Sequence, residues 1–168
     1  MHTALRIDTI LTPDRVLLNL PQTDKEGVLR AMTDALARQG LIRDSREITR
    51  LLLEREALMT TGVKRGFAFP HAFTNQVDES FLTVGVAPAG VEYQALDGHP
   101  VEFIFLLLGP PGHQTVHLRI LARISRITGD GEMLDLLRAA QSAEEIMDCL
   151  THAERHLNGP APRISSNP

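Results

Sequence analysis

The chain has 168 residues, a length typical of one domain, and 43% of them are hydrophobic, which is enough to build a core. Its net charge of −4 lacks the basic excess of a nucleic-acid binder, and its single Tyr and absent Trp leave no aromatic platform for stacked bases. The longest strongly apolar run, residues 103–108, is too short to cross a membrane. The lone Cys149 excludes an internal disulfide and suits a reducing compartment. We therefore expect a cytoplasmic protein with no nucleic-acid partner and no direct membrane insertion.

Helix starts are marked by a capping-box spacing, in which Ser, Thr or Asp is followed three residues later by an acidic residue. This spacing occurs at Thr23 and Glu26, at Asp44 and Glu47, and at Ser142 and Glu145. The first predicted helix should end near Gly40, because glycine commonly ends a helix. The second should run to about residue 57, with Arg55 in its last turn, where a cation complements the helix dipole. The third begins the last helix of the chain.

Four apolar stretches predict β-strands: residues 16–20, 67–69, 82–86 and 101–108. The last stretch is almost continuously apolar, as expected for a strand that is covered on both faces. Residues 88–90, Pro-Ala-Gly, predict a turn after the third strand.

A break at residues 109–112, Gly-Pro-Pro-Gly, precedes a helix that Thr115 can cap, and a shorter helix follows near residues 132–139. The expected apolar face of the longer helix consists of Leu118, Leu121, Ala122 and Ile124. Strands interleaved with helices predict a single layered α/β domain over residues 1–157, with a mixed central β-sheet flanked by helices. The polar, Pro-rich residues 158–168 predict a disordered tail.

The most informative segment is residues 61–71, with the sequence TGVKRGFAFPH. Pro70 fixes its own φ and biases Phe69 toward an extended conformation, so His71 should follow a short strand on a rigid backbone. A histidine held in this way can act as a nucleophile and carry a phosphoryl group on a ring nitrogen.

Two further residues fit the handling of a phosphoryl group. The guanidinium of Arg55 offers a planar fork that matches phosphate oxygens. His117 lies near the start of a predicted helix, where the dipole favours an anion and a neutral imidazole. Thr61 and Gly62 lie on the loop before His71, where a hydroxyl and a backbone N–H could meet phosphate oxygens.

The same residues resemble the enzyme IIA domain of the bacterial phosphoenolpyruvate-dependent phosphotransferase system, of the fructose, mannitol and nitrogen-regulatory type. The matching stretches are Arg55-Glu56, residues 61–71, His117-Leu118 with Leu121-Ala122, and the late run at residues 137–145. The resemblance covers roughly residues 5–152 in order. Phe73 departs from it, because many members of the family have a small or basic residue at this position.

The resemblance implies a phosphocarrier that acts with partner proteins and without a cofactor. A phosphohistidine carrier protein would donate a phosphoryl group to His71, Arg55 and His117 would contact it, and Thr61 and Gly62 would assist. The acceptor would be a regulatory target protein or a IIB domain of a sugar permease. Because the chain carries no IIB or IIC domain, we expect the regulatory, nitrogen-type role. The ring nitrogen that is phosphorylated is left open, as is the oligomeric state, with a homodimer among the allowed states.

Three alternatives stand beside this interpretation. The chain could serve sugar uptake, or it could be a binding module that has the fold without phosphotransfer. The third alternative is a metal site, since His113 and His117, and His152 and His156, have i, i+4 spacing. Neither pair carries the Glu of the HExxH motif, and we therefore expect no metal.

Overall fold

The computed structural model describes residues 5–63 and 65–157, which form six α-helices and a five-stranded mixed sheet. In chain order the elements are helix α1 (Ile7–Ile10), a 3-10 turn (Pro13–Arg15), strand β1 (Val16–Leu17), helices α2 (Lys25–Arg38) and α3 (Ser45–Leu58), strands β2 (Phe67–Ala68), β3 (His71–Phe73), β4 (Phe81–Val91) and β5 (Val101–Gly109), and helices α4 (Gln114–Thr128), α5 (Met133–Ala139) and α6 (Ala143–Leu157). The predicted α/β class, a mixed sheet flanked by helices, is confirmed. The predicted tail, residues 158–168, lies outside the described residues.

Strand β5 lies in the middle of the sheet. One edge pairs antiparallel with β4, which in turn pairs parallel with β1. The other edge pairs parallel with β2 and then with β3, which follow one another along β5. Pro70 separates them because it has no N–H to give to the ladder, but its carbonyl oxygen accepts a hydrogen bond from Leu107 N at 2.9 Å. His71 therefore begins a strand of its own, whereas we had expected it to follow the end of one.

Both faces of the sheet are covered, as the apolar composition of β5 predicts. Phe103, Phe105 and Leu107 pack with residues of α1, α4, α5 and α6 on one side. Ile104, Leu106 and Leu108 pack with α2 and α3 on the other. Burying one such side chain contributes roughly 1.5–3 kcal/mol, so the two clusters fix the positions of β3 and of the helices around it.

Two of the predicted helix starts are correct and two are wrong. The Asp44 carboxylate accepts hydrogen bonds from N–H groups of the first turn of α3, and Ser142 Oγ accepts one from Glu145 N at 3.1 Å. Helix α2 is capped by Asp24 and not by Thr23, because the Asp24 carboxylate accepts from Gly27 N at 2.7 Å. Helix α4 begins just after His113, two residues earlier than the predicted cap at Thr115.

The buried face of α4 also differs from the expected one. Its buried residues are His117, Ile120, Ile124, Ile127 and Thr128, whereas Leu118 is 69% exposed. The apolar residues of this helix form two overlapping stripes. The stripe that contains Ile120, Ile124 and Ile127, at positions i, i+4 and i+7, faces the core because these side chains pack above β5.

The strand lengths need two corrections. Strand β1 is shorter than predicted, Val16–Leu17, and β4 continues through residues 88–90 instead of ending there. Those residues form a bulge in which the register with β5 shifts between Val86 and Val91, and Gly90 has a φ of 81°. Within the described residues, no helix is long and apolar enough to cross a membrane.

Candidate active site

His71 lies at the start of β3 with its side chain half-buried. Its Nδ1 is 3.0 Å from the carbonyl oxygen of Phe69. A carbonyl oxygen can only accept, so this contact requires Nδ1 to carry the proton and to donate. The proton is then absent from Nε2 in the neutral ring, and the Nε2 lone pair is free for a nucleophilic role.

His117 is held against the same strand from α4. Gly109 of β5 is the register partner of Phe73 in β3, and a side chain on Gly109 would collide with His117 Nε2. Because side chains two positions apart on a strand share a face, His71 and Phe73 point to the side on which His117 lies. The structure therefore brings His71 and His117 together on one face of β3.

The environment of His117 is almost dry. The residue is 2% exposed, and the ring of Phe73 is stacked on its imidazole. Burial lowers the pKa of His117 to about 4, and the charges of His71 and His113 act in the same direction. Neither ring nitrogen has a hydrogen-bond partner among the described residues. A buried, neutral imidazole with an unsatisfied N–H is suited to receive an anionic oxygen.

Ser80 and His113 lie beside His117, and no sequence motif includes Ser80. Ser80 Oγ lies 2.9 Å from His113 Nδ1, and a side chain at Gly109 would collide with Ser80 Oγ as well as with His117 Nε2. The two atoms are therefore close neighbours around Gly109. The backbone carbonyl of His113 also accepts from His117 N at 2.9 Å, which anchors the first turn of α4.

Arg55 lies in the last turn of α3, as predicted, and is half-buried. Its Nη1 donates to the carbonyl oxygen of Met59 at 3.0 Å. Helix α3 packs against β3 from the face opposite to α4. No hydrogen bond among the described residues joins Arg55 to His71 or His117, so the convergence of these three residues stays a prediction.

Thr61 and Gly62 are buried and already have partners. Thr61 donates to the Glu56 carboxylate from its N–H, at 2.9 Å, and from its hydroxyl. Gly62 N donates to Thr60 Oγ1 at 3.2 Å. Direct phosphate contact by Thr61 stays a prediction, and its hydroxyl would first have to leave Glu56.

The two histidine pairs differ in structure. His152 Nε2 and His156 Nε2 are 3.0 Å apart on the exposed side of α6. In the other pair, His113 Nδ1 lies 2.9 Å from Ser80 Oγ, whereas His117 is stacked on Phe73. In the part of the chain that the structure describes, no group of three His, Cys, Asp or Glu residues could hold a metal ion.

A groove with a volume of about 890 Å³ lies elsewhere, between α2 and α3. Four of its charged side chains form ion pairs with one another: Arg30 pairs with Glu26, and Arg50 pairs with Glu54. Such a surface gives little reason to expect a ligand. The partnerless imidazole of His117 beside His71 marks the better candidate site.

Comparison with known proteins gives matches over most of the chain. Residues 9–153 match the family described as "Phosphoenolpyruvate-dependent sugar phosphotransferase system, EIIA 2". A nitrogen regulatory protein of Pseudomonas aeruginosa is 34% identical over 142 residues, which cover 84% of this chain and 92% of the relative. A fructose-specific EIIABC component of Bacillus subtilis is 30% identical over 151 residues, which cover 90% of this chain and 24% of the relative, so the chain spans about a quarter of that protein.

Among solved structures, the nitrogen regulatory protein IIA-Ntr of Neisseria meningitidis superposes with a TM-score of 0.80 at 27% identity, covering 86% of this chain and 99% of that one. The match to the family extends over nearly all of the described residues and includes the whole segment that ends in His71. The chain therefore belongs to the EIIA type 2 family of the phosphoenolpyruvate-dependent phosphotransferase system.

Proposed function

We propose that the chain is a phosphohistidine carrier that accepts a phosphoryl group on Nε2 of His71 and passes it to a second protein. The observation that carries the proposal is the 3.0 Å contact between His71 Nδ1 and the Phe69 carbonyl oxygen. It keeps the proton on Nδ1 and leaves a lone pair on Nε2, on the face of β3 that His117 shares. The donor is a phosphohistidine carrier protein.

The transfer is a displacement at phosphorus. The Nε2 lone pair of His71 forms the new P–N bond while the P–N bond of the donor breaks. The electron pair of the broken bond leaves with the donor ring, which departs neutral when its other nitrogen carries a proton. The phosphorylated ring of His71 keeps the Nδ1 proton, and the Phe69 carbonyl dipole stabilises the positive charge of this ring.

In this proposal His117 is the hydrogen-bond donor to the phosphoryl oxygens. Its low pKa keeps the ring neutral near pH 7, so one ring nitrogen carries a proton and the other does not. Burial removes competing water, which strengthens the interaction with a developing negative charge. The buried N–H would then gain the partner that it lacks among the described residues.

Arg55 supplies the positive charge in the proposed site. Its guanidinium would exchange the Met59 carbonyl for a phosphoryl oxygen when the carrier protein docks. Thr61 and Gly62 act through the backbone of the loop that they form, because their polar groups are engaged with Glu56 and Thr60.

We favour a regulatory role in which the phosphorylation state controls binding to a target protein. The support is the match to the nitrogen regulatory protein of P. aeruginosa, which extends over 92% of that protein. The alternative is sugar uptake, in which His71 would donate to a IIB domain. The 30% identity to a fructose-specific component supports this alternative.

The test is phosphorylation with phosphoenolpyruvate, enzyme I and the carrier protein, read by intact mass. We expect one acid-labile phosphate on the wild-type chain and on His99→Ala, which changes an exposed histidine at the end of β5 opposite to the end that pairs with β3. His71→Ala should remain unlabelled, and labelling of that variant would refute the assignment. An unlabelled wild-type chain, with active partners present, would favour the binding module. Rapid onward transfer to a fructose-type IIB domain would favour sugar uptake.

A further inference from the structure

We infer that Glu56 is a positioning residue for His71, which sets the tautomer of the ring through the backbone of residues 61–69. The inference rests on the proposed function in one respect, namely that the tautomer matters for transfer. The juxtaposition that carries it is a buried carboxylate that holds Thr61, whose own carbonyl accepts from the N–H of Phe69, the residue to whose carbonyl His71 donates.

Glu56 is 6% exposed in the last turn of α3, and its carboxylate is saturated with donors. Lys25 Nζ lies 3.0 Å from Oε2, and Tyr93 Oη donates to Oε1 at 3.0 Å. Thr61 adds its N–H and its hydroxyl. Each oxygen thus accepts two hydrogen bonds, which offset the cost of burying a carboxylate.

The donors around Glu56 support one another. Lys25 Nζ lies over the ring of Tyr93, 4.6 Å from its centroid, and it also reaches Thr60 Oγ1 at 3.4 Å. Burial and the Glu56 carboxylate raise the pKa of Tyr93 well above its usual value, so its hydroxyl stays a donor. The cluster ties α2, α3 and the segment that follows β4 to the loop before β2.

From Thr61 the path reaches His71 in two hydrogen bonds. The carbonyl oxygen of Thr61 accepts from Phe69 N at 3.1 Å, and the carbonyl oxygen of Phe69 accepts from His71 Nδ1 at 3.0 Å. Val63 N also donates to the Phe67 carbonyl at 3.0 Å, so the two segments are paired side by side. A shift of Thr61 would therefore move the one acceptor that fixes the His71 tautomer.

Glu56→Gln is the variant that interrupts this path. The amide offers one oxygen and one NH₂ group in place of two acceptor oxygens, so two of the four hydrogen bonds are lost or reversed, and the negative charge opposite Lys25 is removed. Loss of stability alone would not prove a positioning role, because any buried carboxylate would show it.

The chain offers a matched control in Glu154 on α6. It is 5% exposed, accepts from Ile7 N at 3.0 Å and 3.1 Å, and pairs with Arg123 at 3.4 Å. It therefore shares the burial of Glu56, but it holds α1, and no hydrogen bond among the described residues joins it to residues 61–69. Glu154→Gln should destabilise the chain without reaching His71.

The experiment measures the His71 tautomer in the unphosphorylated protein by long-range ¹H–¹⁵N NMR of the imidazole rings. In the wild type and in Glu154→Gln we expect the Nδ1–H form in roughly tenfold excess, the preference that one hydrogen bond gives. In Glu56→Gln that excess should fall several-fold toward a mixture. An unchanged tautomer ratio in folded Glu56→Gln would overturn the inference, and so would an equal loss in Glu154→Gln.

Tyr93→Phe serves if Glu56→Gln does not fold. It removes one donor from Oε1 and should lower the Nδ1–H excess in the same direction by a smaller factor, and an unchanged ratio would again overturn the inference. Phosphotransfer is measured separately. If His71→Ala is labelled like the wild type, the proposed function fails while the tautomer result stands on its own.

Discussion

The Phe73 ring lies 4.3 Å from the imidazole of His117, centroid to centroid, with 22° between their planes. The Phe73 ring covers one face of the buried His117 imidazole. A small or basic residue at position 73 would leave that face accessible to water. Phe73 thereby contributes to the dry environment that keeps His117 neutral.

Phe73→Ala should raise the pKa of His117 from about 4 toward its ordinary value near 6.5, because water would reach the ring. The measurement is a ¹H–¹⁵N NMR titration of the histidine rings. Phe73→Tyr keeps the ring and should leave the pKa low. A His117 pKa that stays near 4 in Phe73→Ala would show that the other neighbours alone exclude water.

The stability of the chain should depend on pH through His117. Between about pH 6.5 and pH 4 the unfolded state takes up a proton at this residue, whereas the folded state does not. The free energy of unfolding should therefore decrease as the pH falls through this window, by up to roughly 3 kcal/mol. Urea unfolding at pH 7, 5.5 and 4.5 measures the slope. His117→Gln should flatten it, and an identical slope in both proteins would contradict the low pKa.

Arg55→Ala should separate phosphotransfer from folding. Arg55 is half-buried and bonded only to a carbonyl among the described residues, so its loss should cost about 1 kcal/mol of stability or less. Loss of a charged phosphate contact should slow transfer about a hundred-fold or more. Arg50→Ala, an exposed arginine one turn earlier in α3, is the control and should transfer at the wild-type rate. Equal rates for the two variants would reduce Arg55 to a helix-end charge.

Gly109→Ala should damage the site without removing a polar group. The new methyl group would collide with His117 Nε2 and with Ser80 Oγ, and it would cost about 1–3 kcal/mol as overpacking. In the background of His117→Ala the same substitution should cost less, since part of the collision is gone. Thermal melts of the four proteins measure this difference. Strict additivity would mean that His117 does not pack on Gly109.

Much of the fold could be predicted from the sequence because its signals are local. Strand β5 is predicted by a continuous apolar run, and the starts of α3 and α6 are predicted by Asp44 and Ser142 with residues three positions later. The structure confirms the strand and both caps. The burial of Leu118 was misjudged because the apolar residues of α4 fit two stripes, and only packing against β5 decides between them. The short helix α1 was missed, since its first N–H is held by Glu154, 147 positions later.

The candidate site likewise contains residues that local sequence signals predict and residues that only the fold brings in. His71 was predicted from its segment and His117 from its place near a helix start, and the structure brings them to one face of β3. Ser80 could not be predicted because its role depends on the contact with His113, 33 positions away. The partner of Thr61 could not be predicted either. A hydroxyl on the loop before His71 suggests a phosphate contact, whereas in the structure this hydroxyl donates to the buried Glu56 carboxylate.

The most direct test of the account is the identification of the phosphorylated atom. The chain should be phosphorylated with phosphoenolpyruvate, enzyme I and the carrier protein, and the histidine rings should then be examined by ³¹P and ¹H–¹⁵N NMR. We predict one phosphoryl group, bonded to Nε2 of His71, with Nδ1 still protonated against the Phe69 carbonyl. A phosphoryl group on Nδ1 of His71, or on any other residue, would contradict the account.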